Sequence, residues 1–368
     1  MHVLITGSKG FIGKNLVVEL SSIETYSFDT FDRGDSFEML ESKIRQADAV
    51  IHLAGENRPS NSEDFEIGNH QLTKLICEAI ERLEKKIPII FSSSTQAEDG
   101  NLYGDSKLAA ENALHTLEEK TGCPVSIYRL PGVFGKWSRP NYNSVVATFC
   151  YNIANKLPIQ VNNPEKSLPL VYIDDVIKSF INTLQSSEPR QQWISVEPTY
   201  TITLQALADQ LKLFYDSRGS LVSERVGTGL IRALYATYLS FLSPEQFTYT
   251  IPIFPDERGV FAEVLKTKDS GQFSFFTALP GVTRGQHFHH SKSEKFLIIK
   301  GQARFRFRNL ITNDRFEILS SSDKLKVVET IPGWVHDITN VGEKEMIVML
   351  WANEIFNRDE PDTISREI

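Results

Sequence analysis

Four of the eight histidines of this 368-residue chain fall at His287, His289, His290 and His336. In an extended segment successive side chains alternate faces, so His287 and His289 share one side while Phe288 points to the other. After the polar residues 291–293, Glu294 opens a second apolar strand and can bring a carboxylate to the same point. His336 can arrive from a distant strand. Imidazoles plus a carboxylate, with room for water, suit Zn, Fe, Ni or Mn; the spacing does not choose among them, and Zn is taken first.

A second constellation lies far upstream. Tyr103 and Lys107 open a helical pattern four residues apart, so they share a helix face. An ammonium beside a phenol favours the phenolate, lowering the tyrosine pKa from about 10. Such a phenol can exchange a proton with a carbonyl oxygen while hydride moves at the adjacent carbon. Ser94, at the end of an expected strand, can donate a second hydrogen bond to that oxygen. Only eight residues separate Ser94 from Tyr103, which leaves Ser93 and Thr95 as alternatives. A Tyr-x-x-x-Lys pair alone is weak, because eleven tyrosines make about one chance match. Its weight comes from the frame around it.

That frame begins with an apolar strand over residues 2–6, a turn spaced Gly7, Gly10, Gly13, and an amphipathic helix over 11–20 that starts with Phe11 and Ile12. Gly7 permits the turn, Gly10 lets the backbone approach a pyrophosphate, and Gly13 lets helix and strand pack closely, with helix N–H groups facing the phosphates. A second strand over 26–31 ends at Asp32 and Arg33. The acid would bind a ribose 2′-hydroxyl and favour NAD, whereas the arginine can pair a 2′-phosphate and favour NADP. A third strand over 49–53 runs through Leu53 into Ala54 and Gly55, at the end of the sheet where a dinucleotide would lie. Further strands over 88–91 and 125–130, and helices over 145–154, 176–184, 204–213 and 224–242, complete an α/β domain with a Rossmann-type doubly wound parallel sheet. Asp174 or Asp175 is expected to cap the 176–184 helix.

Prolines interrupt the periodicity over 242–256, and short, evenly spaced β segments follow. The expected division is therefore 1–245 and 246–368, the latter all-β. Within it, residues 303–308 alternate strictly, with Phe305 and Phe307 on one side and Arg304, Arg306 and Arg308 on the other.

The formal charge of −8 and pI near 5.6 argue against a nucleic-acid or anionic-membrane partner. No apolar run approaches a membrane span, so no membrane insertion is expected. Cys77, Cys123 and Cys150 are widely spaced with no C-x-x-C, which points to a reducing compartment. The opening MHVLITGSKGFIG enters a strand at once with no charged leader, and a cytoplasmic protein is expected.

Gly281, His287-x-His289, Glu294 and Gly301 resemble the first motif of the cupin barrels at every position. Gly333, His336 and Asn340 resemble the second, with its proline shifted to Pro332. This implies a jelly-roll fold with a divalent metal on His287, His289, Glu294 and His336. The glycine turn, Ser94, Tyr103 and Lys107 resemble the extended short-chain dehydrogenases. There Asn69 corresponds to a residue that organises the active-site helix, although alone it reads as an N-cap, and Pro131 lies in the segment that backs the nicotinamide ring. The polar, aromatic loop over 136–144, with Arg139, Asn141 and Asn143, is assigned to substrate.

In both motif sets and their order the whole chain resembles the bifunctional capsular polysaccharide enzymes of the CapF type. The resemblance implies that the cupin domain epimerises C3 of a UDP-4-keto-6-deoxy-N-acetylhexosamine and that the N-terminal domain reduces C4 with NADPH, in a homodimer. His290, Lys295, Lys300 and Asp337 are the candidate epimerase bases, with His290 taken first. Two other classes stand beside this reading: a single-activity sugar-nucleotide reductase with a structural barrel, and a non-enzymatic NADP-sensing module.

Overall fold

Near-continuous apolar runs such as Val3-Leu4-Ile5 and Ala49-Val50-Ile51 suit strands covered on both faces, and all six residues are fully buried. They build a six-stranded parallel sheet from β1 (His2–Thr6), β2 (Ser27–Phe31), β3 (Ala49–His52), β4 (Ile89–Ser94), β5 (Val125–Leu130) and the edge pair Trp193–Ile194. The computed structural model describes residues 1–59, 61–186 and 192–368. The strand order is β2-β1-β3-β4-β5 and then the edge pair. The chain leaves β1 for β2 on one side and reaches β3 on the other, so the switch point lies between the carboxyl ends of β1 and β3. The glycine turn and the loop after β3 meet there. No helix among the described residues is long and apolar enough to cross a membrane.

Helix Leu102–Thr121 carries the Tyr-Lys pair because of where it starts. The Asn101 side chain accepts from the Gly104 N–H at 2.9 Å, and the helix ends at Gly122 in the left-handed region at φ 72. Ala110, Leu114 and Leu117 bury one face in the core formed by Ile76, Ile80, Ile89 and Ile127. Tyr103 and Lys107 thus occupy the first two turns, rigidly held against the sheet.

Four local expectations change. Asn69 is no N-cap: it lies inside a π-helical turn, Glu66–Gln71. Asp174 and Asp175 sit in the first turn of helix Ile173–Gln185 rather than before it. The expected 204–213 helix continues to Ser220. The pattern over 224–242 becomes helix only from Gly229 to Leu239, because Gly227 and Gly229, the latter at φ 61, break its start.

The first compact unit comprises Met1–Leu211 and Ala233–Leu242; the second comprises Lys212–Arg232 and Ser243–Ile368. Residues 212–232 join the second unit ahead of the proline-rich segment, since Val222–Ser223 pairs in parallel with Lys266 and Thr267. This unit is a pair of sheets. One runs Val222–Ser223, Gly259–Thr267, Gly271–Ala278, Met346–Ala352, Glu294–Lys300, Val327–Glu329; the other runs Arg315–Ser321, Gln302–Asn309, Trp334–Asn340, Thr283–Phe288, Ile364–Ser365. Phe276, Phe296, Phe305, Phe307, Ile338 and Val348 fill the space between them.

Candidate active site and metal centre

At the switch point Gly7 has φ 74, and a Cβ there would lie 2.6 Å from the Ala54 nitrogen. A Cβ on Gly13 would lie 2.2 Å from the Gly7 carbonyl oxygen, so helix and turn can approach only without side chains. Gly10 differs: its Cβ would meet nothing nearer than that same oxygen at 3.2 Å. Its bareness leaves room for a ligand, and the cradle with its half-buried Phe11 and Ile12 fits a dinucleotide pyrophosphate. The Thr6 hydroxyl lies 3.2 Å from the N–H groups of Leu53 and Ala54 and 2.6 Å from Nδ1 of buried His52, which locks the loop beyond β3.

The Asp32 carboxylate accepts from the Ser8 hydroxyl at 2.5 Å and the Lys9 N–H at 3.2 Å, which ties it to the glycine turn. The Arg33 side chain is 87% exposed and pairs with Glu56. The acid is thus engaged by protein donors while the guanidinium stands in solvent.

Strand alternation separates Ser93 from Ser94. The Ser93 hydroxyl donates to Glu111 at 2.5 Å, where Glu111 also takes a bidentate pair from Arg129 at 3.0 and 2.7 Å. Ser94 faces the other way, accepts from the Gln96 N–H at 3.1 Å and lies on the Tyr103 side, where it opposes the rise of the phenol's pKa. Thr95 is exposed. Ser94 is therefore the one of the three that meets the phenol.

The expected electrostatics need correction. Burial pushes the Tyr103 pKa up and Tyr142 adds to the rise, with Ser94 opposing it, so the phenol is not lowered as the Lys107 spacing predicts. The Lys107 ammonium donates instead to the Ser92 carbonyl at 3.0 Å and lies 4.9 Å over the Phe91 ring. Burial brings Lys107 itself down to about 8, against the opposing pull of Glu111. Asn69 exchanges bonds with the Glu56 backbone at 2.9 and 3.0 Å and donates to Ser106 at 2.9 Å, joining the loop beyond β3 to the Tyr-Lys helix. A Cβ on Gly55 would meet both Asn69 Oδ1 and Lys107 Nζ, so the loop, Asn69 and Lys107 form one cluster. Pro131 is half-buried after β5. Arg139, Asn141 and Asn143 are all exposed; Arg139 stacks on Tyr142 at 5.0 Å, and the Asn141 N–H is held by Thr148.

In the second unit one ligand atom from each of His287, His289, Glu294 and His336 lies within 4.8 Å of the others. Both sheets contribute: the three histidines come from Thr283–Phe288 with its following residue and from Trp334–Asn340, and Glu294 comes from the opposite sheet. His289 Nε2 stands 3.2 Å and His336 Nε2 3.5 Å from Glu294 Oε2. The Nδ1 atoms of His289 and His336 are turned outward onto the carbonyls of Asp362 and Trp334, so each can present an unprotonated Nε2 inward. His287 Nε2 and His336 Nε2 are buried with no hydrogen-bond partner among the described residues, so both nitrogens are available as ligand atoms. Burial, reinforced by His336, lowers His287 to about 4, so it is neutral and ready to ligate. Burial acts to raise Glu294, but His289, His336 and the Lys292 ammonium hold it well below the usual carboxylate range. Three imidazoles and a carboxylate fit a divalent ion of the Zn type.

Other expected residues stand apart. His290 is exposed beyond the end of the strand and meets Phe288 edge-to-face at 5.3 Å. Lys295 is exposed and pairs with Glu329 at 2.6 Å, and Lys300 is exposed. Asp337 is buried but closed on Arg306 at 3.1 and 2.5 Å, on the face opposite His336. Two functional residues escaped the sequence reading. Buried Lys292 lies 3.0 Å from Glu294, and the Asp362 carboxylate accepts the N–H groups of His290, Ser291 and Lys292, each at 2.8 Å, fixing the ligand loop. Lys292 was hidden among polar turn residues, and Asp362 is some seventy positions away.

The sheet and its cradle define a Rossmann-type domain of the epimerase and short-chain dehydrogenase kind, joined to a strand-rich second domain. Residues 3–194 match the NAD dependent epimerase/dehydratase family and residues 254–364 the polysaccharide biosynthesis C-terminal domain. A UDP-2-acetamido-2,6-beta-L-arabino-hexul-4-ose reductase of Pseudomonas aeruginosa is 54% identical over 363 residues, covering 99% of this chain and 98% of its own. The crystal structure of capsular polysaccharide assembling protein CapF from Staphylococcus aureus is 39% identical with a TM-score of 0.92, and 100% of both chains is covered. UDP-glucuronic acid 4-epimerase from Bacillus cereus, at 17% identity and a TM-score of 0.57 over 66% of this chain and 99% of its own, shares the fold. The chain belongs to the NAD dependent epimerase/dehydratase family and, within it, to the CapF family.

Proposed function

We propose that this chain is a bifunctional nucleotide-sugar enzyme. Residues 246–368 epimerise C3 of UDP-2-acetamido-2,6-dideoxy-4-hexulose. Residues 1–245 then reduce the C4 ketone with NADPH, giving UDP-N-acetyl-6-deoxy-L-talosamine on the way to UDP-N-acetyl-L-fucosamine for capsule or O-antigen. The observation that carries this reading is the relative named as a hexul-4-ose reductase, 54% identical across both domains.

In the reductase domain Gly7, Gly10, Phe11, Ile12 and Gly13 hold the pyrophosphate, and Leu53, Ala54, Gly55 and Asn69 line the loop beside it. Pro131 backs the nicotinamide. Arg33 pairs the 2′-phosphate, a role supported by its exposure and by the engagement of Asp32 with the glycine turn. When bound, NADPH supplies the hydride to C4. Tyr103 gives its proton to the C4 oxygen, Ser94 donates a hydrogen bond to that oxygen, and Lys107 holds the ribose hydroxyls. A phenol whose pKa is raised is fully protonated at neutral pH and starts as the proton donor that reduction needs. Arg139, Asn141 and Asn143 contact the nucleotide sugar.

In the barrel the C4 ketone acidifies the neighbouring C3–H, so a proton leaves C3 and returns on the opposite face. A divalent metal, Zn first, held by His287, His289, Glu294 and His336, would supply polarisation of an oxygen ligand. The exposure of His290 removes the support for it as base. The enzyme acts as a cytoplasmic homodimer.

The test is product NMR after incubation with the UDP-4-keto-6-deoxy-N-acetylhexosamine in deuterated water, with and without NADPH. Deuterium at C3 in both arms, and a C4 alcohol only with NADPH, is expected. A C4 alcohol without deuterium at C3 would leave a single-activity reductase; no turnover of either kind would leave a binding module.

A further inference from the structure

Strand Thr283–Phe288 carries a bulge: Gly285 pairs with Asp337 and His287 with His336, which leaves Gln286 unpaired between them at φ 62. In an unbroken strand Arg284 and His287 would face opposite sides, and the extra residue puts them on one. That side is the interior of the second unit. Arg284 pairs with Ile338, two residues beyond His336 and on the same face of the partner strand, so it stands roughly 7 Å along the ladder from the His287–His336 pair. Its guanidinium lies 5.2 Å over the ring of buried Phe276.

The side chain is only 13% exposed, and its Nε and Nη2 are buried without a hydrogen-bond partner among the described residues. The nearest carboxylate, Asp256, is 3.6 Å away, beyond hydrogen-bond range, and is already held by Arg258 through contacts of 2.6, 2.9 and 3.1 Å. Arg306, beside the same strand, shows what a completed fork looks like, closed on both oxygens of Asp337. A buried cation whose one ion-pair partner stands beyond hydrogen-bond range leaves two donors unsatisfied, which costs stability unless something completes the fork.

We propose that Arg284 is an anion-binding residue of the barrel, its Nε and Nη2 taking two oxygens of a phosphoryl group in the diphosphate of a nucleotide sugar. Two donors on one edge of a planar guanidinium match a pair of oxygens on one centre better than a single developing oxyanion. The identity of the ligand rests on the epimerase reading above; the unpaired donors of Arg284 do not.

UDP is titrated calorimetrically into the full chain, as wild type, Arg284→Gln and Arg284→Lys. Binding at the N-terminal domain contributes equally to all three. Wild type is expected to show an additional UDP per chain that Arg284→Gln lacks and that Arg284→Lys, with the charge but no fork, binds at least tenfold more weakly. Identical isotherms for wild type and either folded variant overturn the proposal. Thermal melts run alongside: Arg284→Gln should melt no lower than wild type, and a fall of several degrees would make Arg284 a structural partner of Asp256 and also overturn it. Where wild type exchanges deuterium at C3, Arg284→Gln should raise KM at least tenfold with kcat within threefold, and the reverse split counts against a diphosphate anchor. Absence of exchange in wild type sinks the epimerase reading alone, and the titration still decides Arg284.

Discussion

The ammonium of Lys107 donates to the main-chain carbonyl of Ser92 at 3.0 Å, pinning the Tyr-Lys helix to the strand that ends in Ser94. The contact places a cation in a nearly sealed site, and burial lowers its pKa to about 8. A lysine whose folded pKa lies below its ordinary 10.5 binds fewer protons folded than unfolded between those values. Its cost is fully present below about 8, shrinks as pH rises, and is gone above the unfolded value. Urea unfolding of wild type and Lys107→Met should therefore show their stability difference moving in favour of wild type by about 3 kcal/mol from pH 8 to 10.5. A difference that stays flat would show that Lys107 is solvated.

Gly10 and Gly13 of the turn should separate fold from ligand. Gly13→Ala meets the Gly7 carbonyl at 2.2 Å and should lower the melting temperature by several degrees. Gly10→Ala, with its nearest contact at 3.2 Å, should melt like wild type yet bind NADPH at least about tenfold more weakly, because its methyl enters the space of the pyrophosphate. Equal loss of stability in both variants would contradict a ligand role for Gly10.

Much of this could be read directly from residue order. The β1-turn-α1 unit, with helix Phe11–Ser21 as α1, and the gathering of His287, His289, Glu294 and His336 were legible because each depends on period and spacing. The bulge at Gln286 was not, since one extra residue in a strand leaves no periodic mark until its partner is known. Ser94 could be put first from sequence, but Ser93 and Thr95 stayed open beside it, because what separates the two serines is Glu111 on one side of the strand and Tyr103 on the other. The Lys-Tyr electrostatics failed because helix spacing gives a shared face but not the direction of a long side chain, which here runs to Ser92.

Zinc added to metal-free protein should raise its melting temperature, the gain corresponding to about 2.7 kcal/mol at a hundredfold excess over Kd. Glu294→Gln or His336→Ala should abolish most of that gain, as each removes a donor from the set of four. Equal stabilisation of these variants, followed by calorimetry, would place the ion elsewhere.

His290→Ala should keep wild-type metal content and C3 exchange within about twofold, because surface substitutions away from packed features change little. His290 is exposed against Phe288, outside the cluster. A loss of exchange of a hundredfold or more, with metal retained, would restore it as the base.

The most direct measurement follows Tyr103→Phe with the 4-keto nucleotide sugar and NADPH in deuterated water. Removing the proton donor should slow NADPH oxidation by about a hundredfold or more. Deuterium should still enter at C3 while the ketone persists at C4. NADPH oxidation within threefold of wild type would contradict Tyr103 as the group that protonates the C4 oxygen.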